Sequence, residues 1–183
     1  MFRKKGLDRF KLIQTISYLR TMENKVRFIE ERVRSNSEKG FKEIVKHYSN
    51  GSRELAEALA SEVAEQRKLA ETIARFRLGI ERIRLRLETL LDIGGTAEML
   101  KEIAPMLSDL KKTGIEAVPE FGIMFSELQN KLIDLGFEMD SGLTFPGFSA
   151  PNIEASSDEV KKILLEAKEI AKERMASKMP EPP

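Results

Sequence analysis

The chain has 183 residues, of which 33% are charged and 41% apolar. This composition is too apolar for a wholly disordered protein and suits elongated helices with a small core. The absence of Cys excludes disulfides, thiol nucleophiles and Cys-ligated metals, and no apolar stretch approaches the roughly 18 residues needed to span a membrane.

The net charge of +1 conceals a strong asymmetry along the chain. Residues 1–91 carry 21 Lys and Arg against 13 Asp and Glu, a net charge of +8, whereas residues 92–183 carry 10 against 17, a net charge of −7. The basic N-terminal half implies an anionic partner. The acidic C-terminal half can compete with that partner for the basic surface.

Two long helices are predicted in the first half. Apolar residues at helical spacing predict a first helix from about Leu7 to about Tyr48, with a kink or restart near Gly40. After a turn at residues 49–52, a second helix is predicted from Arg53 to Asp92. The second helix has an apolar seam in alternating steps of four and three, formed by Leu69, Ile73, Phe76, Ile80, Ile83, Leu87 and Leu90. Two such helices joined by a short turn predict an antiparallel hairpin.

Shorter helices are predicted after the hairpin. A third helix spans about residues 96–113, with a kink at Pro105, and a fourth runs from Pro119 to Gly136. Residues 137–157 are predicted to be a linker, and a last helix runs from 158 to about 177, before an extended proline-rich tail.

The predicted fold is therefore all-α: a long antiparallel hairpin, shorter helices and a flexible C-terminal tail. We predict four parts: a basic hairpin over residues 1–92, acidic helices over 93–136, the linker over 137–157, and a C-terminal helix with a proline-rich tail over 158–183.

The sequence contains no recognisable catalytic constellation. It has one histidine, His47, and lacks phosphate-cradling, zinc-protease, calcium-loop and serine-hydrolase motifs. Its abundant Asp and Glu alternate with Lys and Arg, which is typical of solvated helix faces. We expect no enzyme activity, no cofactor and no metal site.

Two basic segments are candidates for binding an anionic surface. One is a candidate basic face on the second helix, formed by Arg75, Arg77, Arg82, Arg84 and Arg86. This face is either solvated and balanced by acids on the first helix, or a docking surface for membrane phosphate groups, nucleic acid or an acidic segment of a neighbour. Arginine favours docking, since guanidinium groups bind phosphates and carboxylates bidentately. The other is the N-terminus, where Phe2 could insert into lipid beside Arg3, Lys4 and Lys5; the alternative is a frayed, solubilising end.

Two further segments have a simple and a functional interpretation. Gly94 and Gly95 separate the basic and acidic halves and mark either a helix end or a hinge. The tail contains Met179, Pro180, Pro182 and Pro183, and is either a disordered end or a proline-type peptide ligand.

The order of these parts resembles ESCRT-III, the charged multivesicular body proteins, and above all the archaeal cell-division members called CdvB and their shorter paralogues. The resemblance covers the whole chain and is strongest in LDRFKLIQTISYLRTMENKVRFIEERV and RKLAETIARFRLGIERIRLRLETL. It rests on helix layout, charge division and sequence character.

The resemblance implies subunits that polymerise on anionic membranes, remodel or sever them, and are disassembled by an AAA ATPase. It implies membrane binding through Phe2–Lys5, autoinhibition by the helices after Gly95, and binding of the ATPase's MIT domain through Met179–Pro183. It also implies self-assembly or assembly with paralogues, and a cytoplasmic location on the inner face of the cell membrane, in keeping with a division site. No nucleic-acid partner is expected.

Two other functions are compatible with the sequence. A coiled-coil scaffold without membrane activity would form fixed small oligomers whatever the lipid charge. A basic helical nucleic-acid-binding protein would bind with steep salt dependence, but no recognition motif or aromatic stacking cluster accompanies the arginines.

Overall fold

In a computed structural model, the structure is described for residues 6–113, 116, 118–138 and 155–178. In those ranges the chain forms α-helices and one 3₁₀ helix, with no β-strand. The elements are α1 (Arg9–Ser49), α2 (Arg53–Ile93), the 3₁₀ helix (Ala97–Ile103), α3 (Ala104–Lys112), α4 (Pro119–Asp134) and α5 (Ser157–Lys178). The prediction of an all-α protein with two long helices followed by shorter ones is confirmed.

The first helix continues through the segment where a restart was predicted. α1 is helical without interruption from Arg9 to Ser49, so the predicted restart near Gly40 is wrong. A Cβ atom on Gly40 would lie 2.7 Å from Val63 Cγ2. The absence of a side chain at Gly40 therefore allows α2 to approach α1 closely. Helix propensity, which treats each residue by itself, does not reveal this contact.

The chain forms two compact units. Unit 1 contains residues 1–29 and 72–151, and unit 2 contains residues 30–71 and 152–183. The boundaries predicted from the sequence follow chain order, whereas these units combine segments that are distant along the chain.

The core of unit 1 is built on the predicted seam of α2. Every seam residue from Ile73 to Leu90 is buried, and the apolar stripe of α4 is buried with it. The rings of Phe76 and Phe121 stack with their centroids 4.3 Å apart, which joins α2 to α4. Gly79 allows α3 to approach, because a Cβ there would lie 2.7 Å from Leu110 Cδ1.

The segment that contains Pro105 differs from the prediction. The structure shows a 3₁₀ helix over Ala97–Ile103 and then α3, with Pro105 in the first turn of α3. The expected kink within one continuous helix is therefore wrong. Proline is tolerated in a first turn because that turn's N–H groups have no intrahelical acceptor.

Unit 2 contains the turn of the hairpin and α5. Its core is a cluster of aliphatic and small residues, formed by Ile44, Val45, Ala56, Ala60, Val63, Ala64, Ile163, Ala167 and Ala171. α5 begins with a capping box, in which the Glu159 N–H donates to Ser156 Oγ at 3.3 Å and the Ser156 N–H donates to Glu159 Oε2 at 2.9 Å. The alanines of the cluster allow α5 to pack closely on the hairpin within this unit.

We predict that Phe76→Ala lowers the free energy of unfolding by about 3–5 kcal/mol, because it leaves a cavity and removes a ring stack. Leu78→Ala is the matched control, since Leu78 lies two residues away with 54% of its surface exposed, and should change stability by less than about 0.5 kcal/mol. Urea denaturation followed by circular dichroism measures both. Equal losses in the two variants would contradict the described core.

Candidate functional site

The basic charge of the hairpin is concentrated in unit 1. Residues 1–29 carry 8 Lys and Arg against 2 Asp and Glu, and residues 72–91 carry 5 against 2. Residues 30–71, the hairpin's share of unit 2, carry 8 against 9 and are close to neutral. The candidate site for an anionic partner is therefore the unit 1 part of the hairpin, not its whole length.

The five arginines predicted to share a face lie on two sides of the buried seam. Arg75, Arg82 and Arg86 are separated by seven and four residues and so lie along one side of α2. Arg77 and Arg84, also seven residues apart, lie along the other. The predicted basic face is thus divided by the seam.

Arg84 is held by acidic side chains in a partly buried cluster. Its Nε lies 2.6 Å from Glu23 Oε2 on α1, and its Nη1 lies 2.9 Å from Glu88 Oε1. Arg20 Nη2 contacts the same Glu88 oxygen at 2.8 Å. The hydrogen bond that Arg84 donates to Glu23 raises the pKa of Arg84, and the hydrogen bond that Arg20 donates to Glu88 lowers the pKa of Glu88. Arg84 therefore fixes α2 against α1 and is not available to an external anion.

Two of the arginines on the other side, Arg82 and Arg86, contact carboxylates in the segments that follow the hairpin. Arg82 Nη1 lies 3.6 Å from Asp109 Oδ2 on α3, and Arg86 Nη1 lies 3.2 Å from Glu102 Oε2 on the 3₁₀ helix. All four side chains are at least 41% exposed. Exposed pairs of this kind stabilise a structure by about 1 kcal/mol or less, so an external anion can compete with Asp109 and Glu102 at low cost.

A tyrosine connects α4 to α1. Tyr18 Oη donates a hydrogen bond to Glu127 Oε2 and lies 3.5 Å from the backbone oxygen of Met124. Lys131 Nζ lies 5.1 Å from the centre of the Tyr18 ring. Burial, with the Glu127 hydrogen bond, raises the pKa of Tyr18. These contacts hold α4 beside the basic part of α1.

Gly94 and Gly95 form a glycine-capped helix end. The Gly95 N–H donates to Leu90 O at 2.8 Å and the Gly94 N–H to Leu91 O at 3.4 Å, with Gly94 at a φ of +65°. This is the Schellman pattern. The Leu7 N–H also donates to Gly95 O at 3.1 Å, so the helix end is tied to the residue that precedes α1. The hinge motion itself stays a prediction.

Two groups of predicted site residues lie outside the described residues. They are the proposed membrane-binding group Phe2, Arg3, Lys4 and Lys5 and the proposed ATPase-binding group Met179, Pro180, Pro182 and Pro183. Both assignments stay predictions.

Acids on the first helix are one of the partners that the sequence allows for these arginines, but it does not identify the individual residues, and only Glu23 leaves a signal. Glu23 occupies the position between Leu19 and Val26 where the stripe of α1 takes a step of seven instead of four and three. A carboxylate within an apolar stripe needs a buried partner, and that partner is Arg84. Glu102 and Asp109 leave no comparable signal, because they lie on exposed positions.

No helix in the described ranges combines the length and apolarity needed to cross a bilayer. In the same ranges, no cluster of three or more His, Asp or Glu side chains is arranged to hold a metal ion. The residues that stand out at the site are arginines and their carboxylate partners, a set suited to binding.

The fold and the site define a helical protein built on a long antiparallel hairpin with its basic charge in one unit. The chain is 26% identical over 175 residues to Cell division protein B1 of Sulfolobus acidocaldarius, covering 96% of this chain and 80% of that protein. It is 25% identical over 183 residues to Cell division protein B of the same organism, covering 99% of this chain and 68% of that protein. No family model matches the chain, and no solved structure matches it.

These relatives fit the resemblance stated from the sequence. The chain is similar over nearly its whole length to two archaeal proteins named as cell division proteins, which fits an ESCRT-III-like relative of CdvB.

We predict that Arg84→Met lowers the free energy of unfolding by roughly 3 kcal/mol, because it leaves Glu23 buried without its cation. The double variant Arg84→Met/Glu23→Leu should recover most of this loss, since replacing both partners with apolar groups is often neutral. Arg75→Met, at an exposed position of the same helix, is the control. Chemical denaturation measures all three. A double variant as unstable as the single one would contradict the assigned pair.

We predict that Gly94→Ala destabilises the chain by about 1–2 kcal/mol, because a side chain at positive φ is strained. Gly6→Ala is the control, as a Cβ there meets nothing within 4 Å and its φ is not positive. Thermal denaturation of both variants measures the difference. Equal stability would show that the helix end is not constrained at Gly94.

Proposed function

We propose that this chain is an ESCRT-III-like, non-enzymatic subunit that polymerises on anionic membranes and takes part in membrane remodelling or scission during cell division. The proposal includes self-assembly or assembly with paralogues, and a cytoplasmic position on the inner face of the cell membrane. It also includes disassembly by an AAA ATPase whose MIT domain binds the proline-rich tail.

The observation that carries the proposal is the contact of Arg82 and Arg86 with two carboxylates, Asp109 and Glu102, in the segments after Gly94-Gly95. Asp109 and Glu102 occupy two arginines in the basic unit through exposed, weak ion pairs. A membrane rich in anionic head groups offers about 1 kcal/mol for each cation near its surface. Such a membrane can therefore displace Asp109 from Arg82 and Glu102 from Arg86. The charge asymmetry of the chain then acts as a switch. The names of the two relatives support a role in cell division.

The partly buried Arg84 cluster favours a second candidate, a scaffold without membrane activity. An arginine that is bound by carboxylates of its own chain stabilises the hairpin and does not bind an external partner. The two functions differ in their response to lipid charge, since a scaffold keeps the same oligomeric state at every lipid composition.

We predict that Glu102→Gln/Asp109→Asn increases binding to vesicles that contain anionic lipid, because it releases Arg86 and Arg82. Two lost ion pairs of up to about 1 kcal/mol each correspond to an increase of up to roughly thirtyfold. Vesicle sedimentation at low salt, followed by electron microscopy, measures binding and filament formation.

The matched control is Glu169→Gln/Glu173→Gln on α5, which changes net charge equally at exposed positions distant in sequence from Arg82 and Arg86. An equal increase in vesicle binding in both variants would show that the effect depends on net charge and not on the release of Arg82 and Arg86. If neither variant nor the unmodified chain binds anionic vesicles, the membrane function is wrong. Oligomers of fixed size without vesicle binding would favour the scaffold.

A further inference from the structure

The outward surface of α1 in unit 1 carries only positive charge. Five exposed cations lie between Arg9 and Phe28, namely Arg9, Lys11, Arg20, Lys25 and Arg27. The one acidic residue in this stretch, Glu23, is buried and bound to Arg84. Arg20 contacts Glu88 on α2, and no exposed acid within the stretch neutralises the other four cations.

Large apolar side chains lie among these cations. Phe10 is 70% exposed and Phe28 is 62% exposed, and their separation of 18 residues is five helical turns, which places both on the same line along α1. Ile13, 45% exposed, lies one turn after Phe10. Exposed aromatic residues bordered by charges are typical of binding surfaces. We call this surface, with the five cations, the α1 basic face.

A surface of opposite charge lies on α2 in unit 2. Between Arg53 and Arg67 the chain contains four glutamates and no Lys or Arg. The four are Glu54, Glu57, Glu62 and Glu65. Leu55, 55% exposed, adds an apolar contact to the same surface. We call these five residues the α2 acidic strip.

We propose that the α1 basic face of one copy binds the α2 acidic strip of a second copy. This inference rests on the polymerisation part of the proposed function and names the surfaces that join neighbouring subunits. The two surfaces carry opposite charge, and both contain exposed apolar residues. Complementary potentials of this kind determine which partner binds and in which register. Because the surfaces differ, every bound copy leaves one of each free, and a heterologous contact of this kind propagates into a ring or a filament.

A lipid surface is the competing occupant of the α1 basic face. It would account for the cations and for the exposed phenylalanines. It would leave the α2 acidic strip, with Leu55, without an explanation. A second copy accounts for both surfaces, since the same chain supplies both.

Charge reversal provides a test. One variant is Lys25→Glu/Arg27→Glu on the α1 basic face, and the other is Glu54→Lys/Glu62→Lys on the α2 acidic strip. These four side chains are exposed and, in the part of the chain that the structure describes, form no ion pair. Both variants should therefore fold, which circular dichroism checks before assembly is measured.

Assembly is measured by sedimentation and electron microscopy, with and without anionic vesicles. We expect each variant alone to lose at least tenfold of the sedimentable assembly of the unmodified chain. An equimolar mixture should regain it, because each reversed surface meets its complement on the other variant. A chain with all four substitutions should also assemble, since both of its surfaces are reversed.

The outcomes of these experiments distinguish a failure of polymerisation from a failure of the proposed interface. If the unmodified chain does not assemble under any of these conditions, polymerisation itself is wrong and this inference with it. If the unmodified chain assembles but neither the mixture nor the fourfold variant regains assembly, this interface is wrong while polymerisation stands. Loss of vesicle binding in Lys25→Glu/Arg27→Glu without rescue by the mixture would assign the α1 basic face to lipid and overturn the inference.

Discussion

Burial of the apolar seam of α2 determines where the arginines of that helix lie. Ile73, Phe76, Ile80, Ile83 and the leucines that follow are buried in unit 1. Because a helix has 3.6 residues per turn, arginines interspersed with a buried seam must lie on its two borders or on the outer surface. One border meets α1 and the other meets the 3₁₀ helix and α3. Burial of the seam thereby determines which arginines lie beside α1 and which lie beside the 3₁₀ helix and α3.

The two borders differ in energy as well as in partner. On the α1 side, Arg84 is partly buried and bound by two carboxylates, so removing one member leaves an uncompensated charge. On the other side, Arg82 and Arg86 form exposed ion pairs that solvent and salt weaken. The first interaction holds the hairpin together in unit 1. The second can be exchanged for contacts with another anion.

Charge is divided unevenly between the parts of the hairpin that belong to the two units. Its basic charge lies in unit 1, where α1 presents phenylalanines among cations, and its part of unit 2 is close to neutral overall but has a run of glutamates on α2. Local segregation of this kind is invisible in the net charge of +1. It is the property that the proposed membrane contact and the proposed subunit contact both use.

The sequence by itself determined the helices, since the spacing of apolar residues reports directly on which face of a helix is buried. It predicted the hairpin, a helix that begins at Pro119 and a last helix that begins near residue 158, and its overall character indicated the resemblance to CdvB. Tertiary structure decided the rest. Gly40 and Pro105 break helices by propensity, yet one allows the approach of Val63 and the other begins α3. The pairing of Arg84 with Glu23, and of Arg82 and Arg86 with Asp109 and Glu102, depends on which helix borders meet, because an ion pair between residues far apart in sequence exists only once packing has brought their helices together.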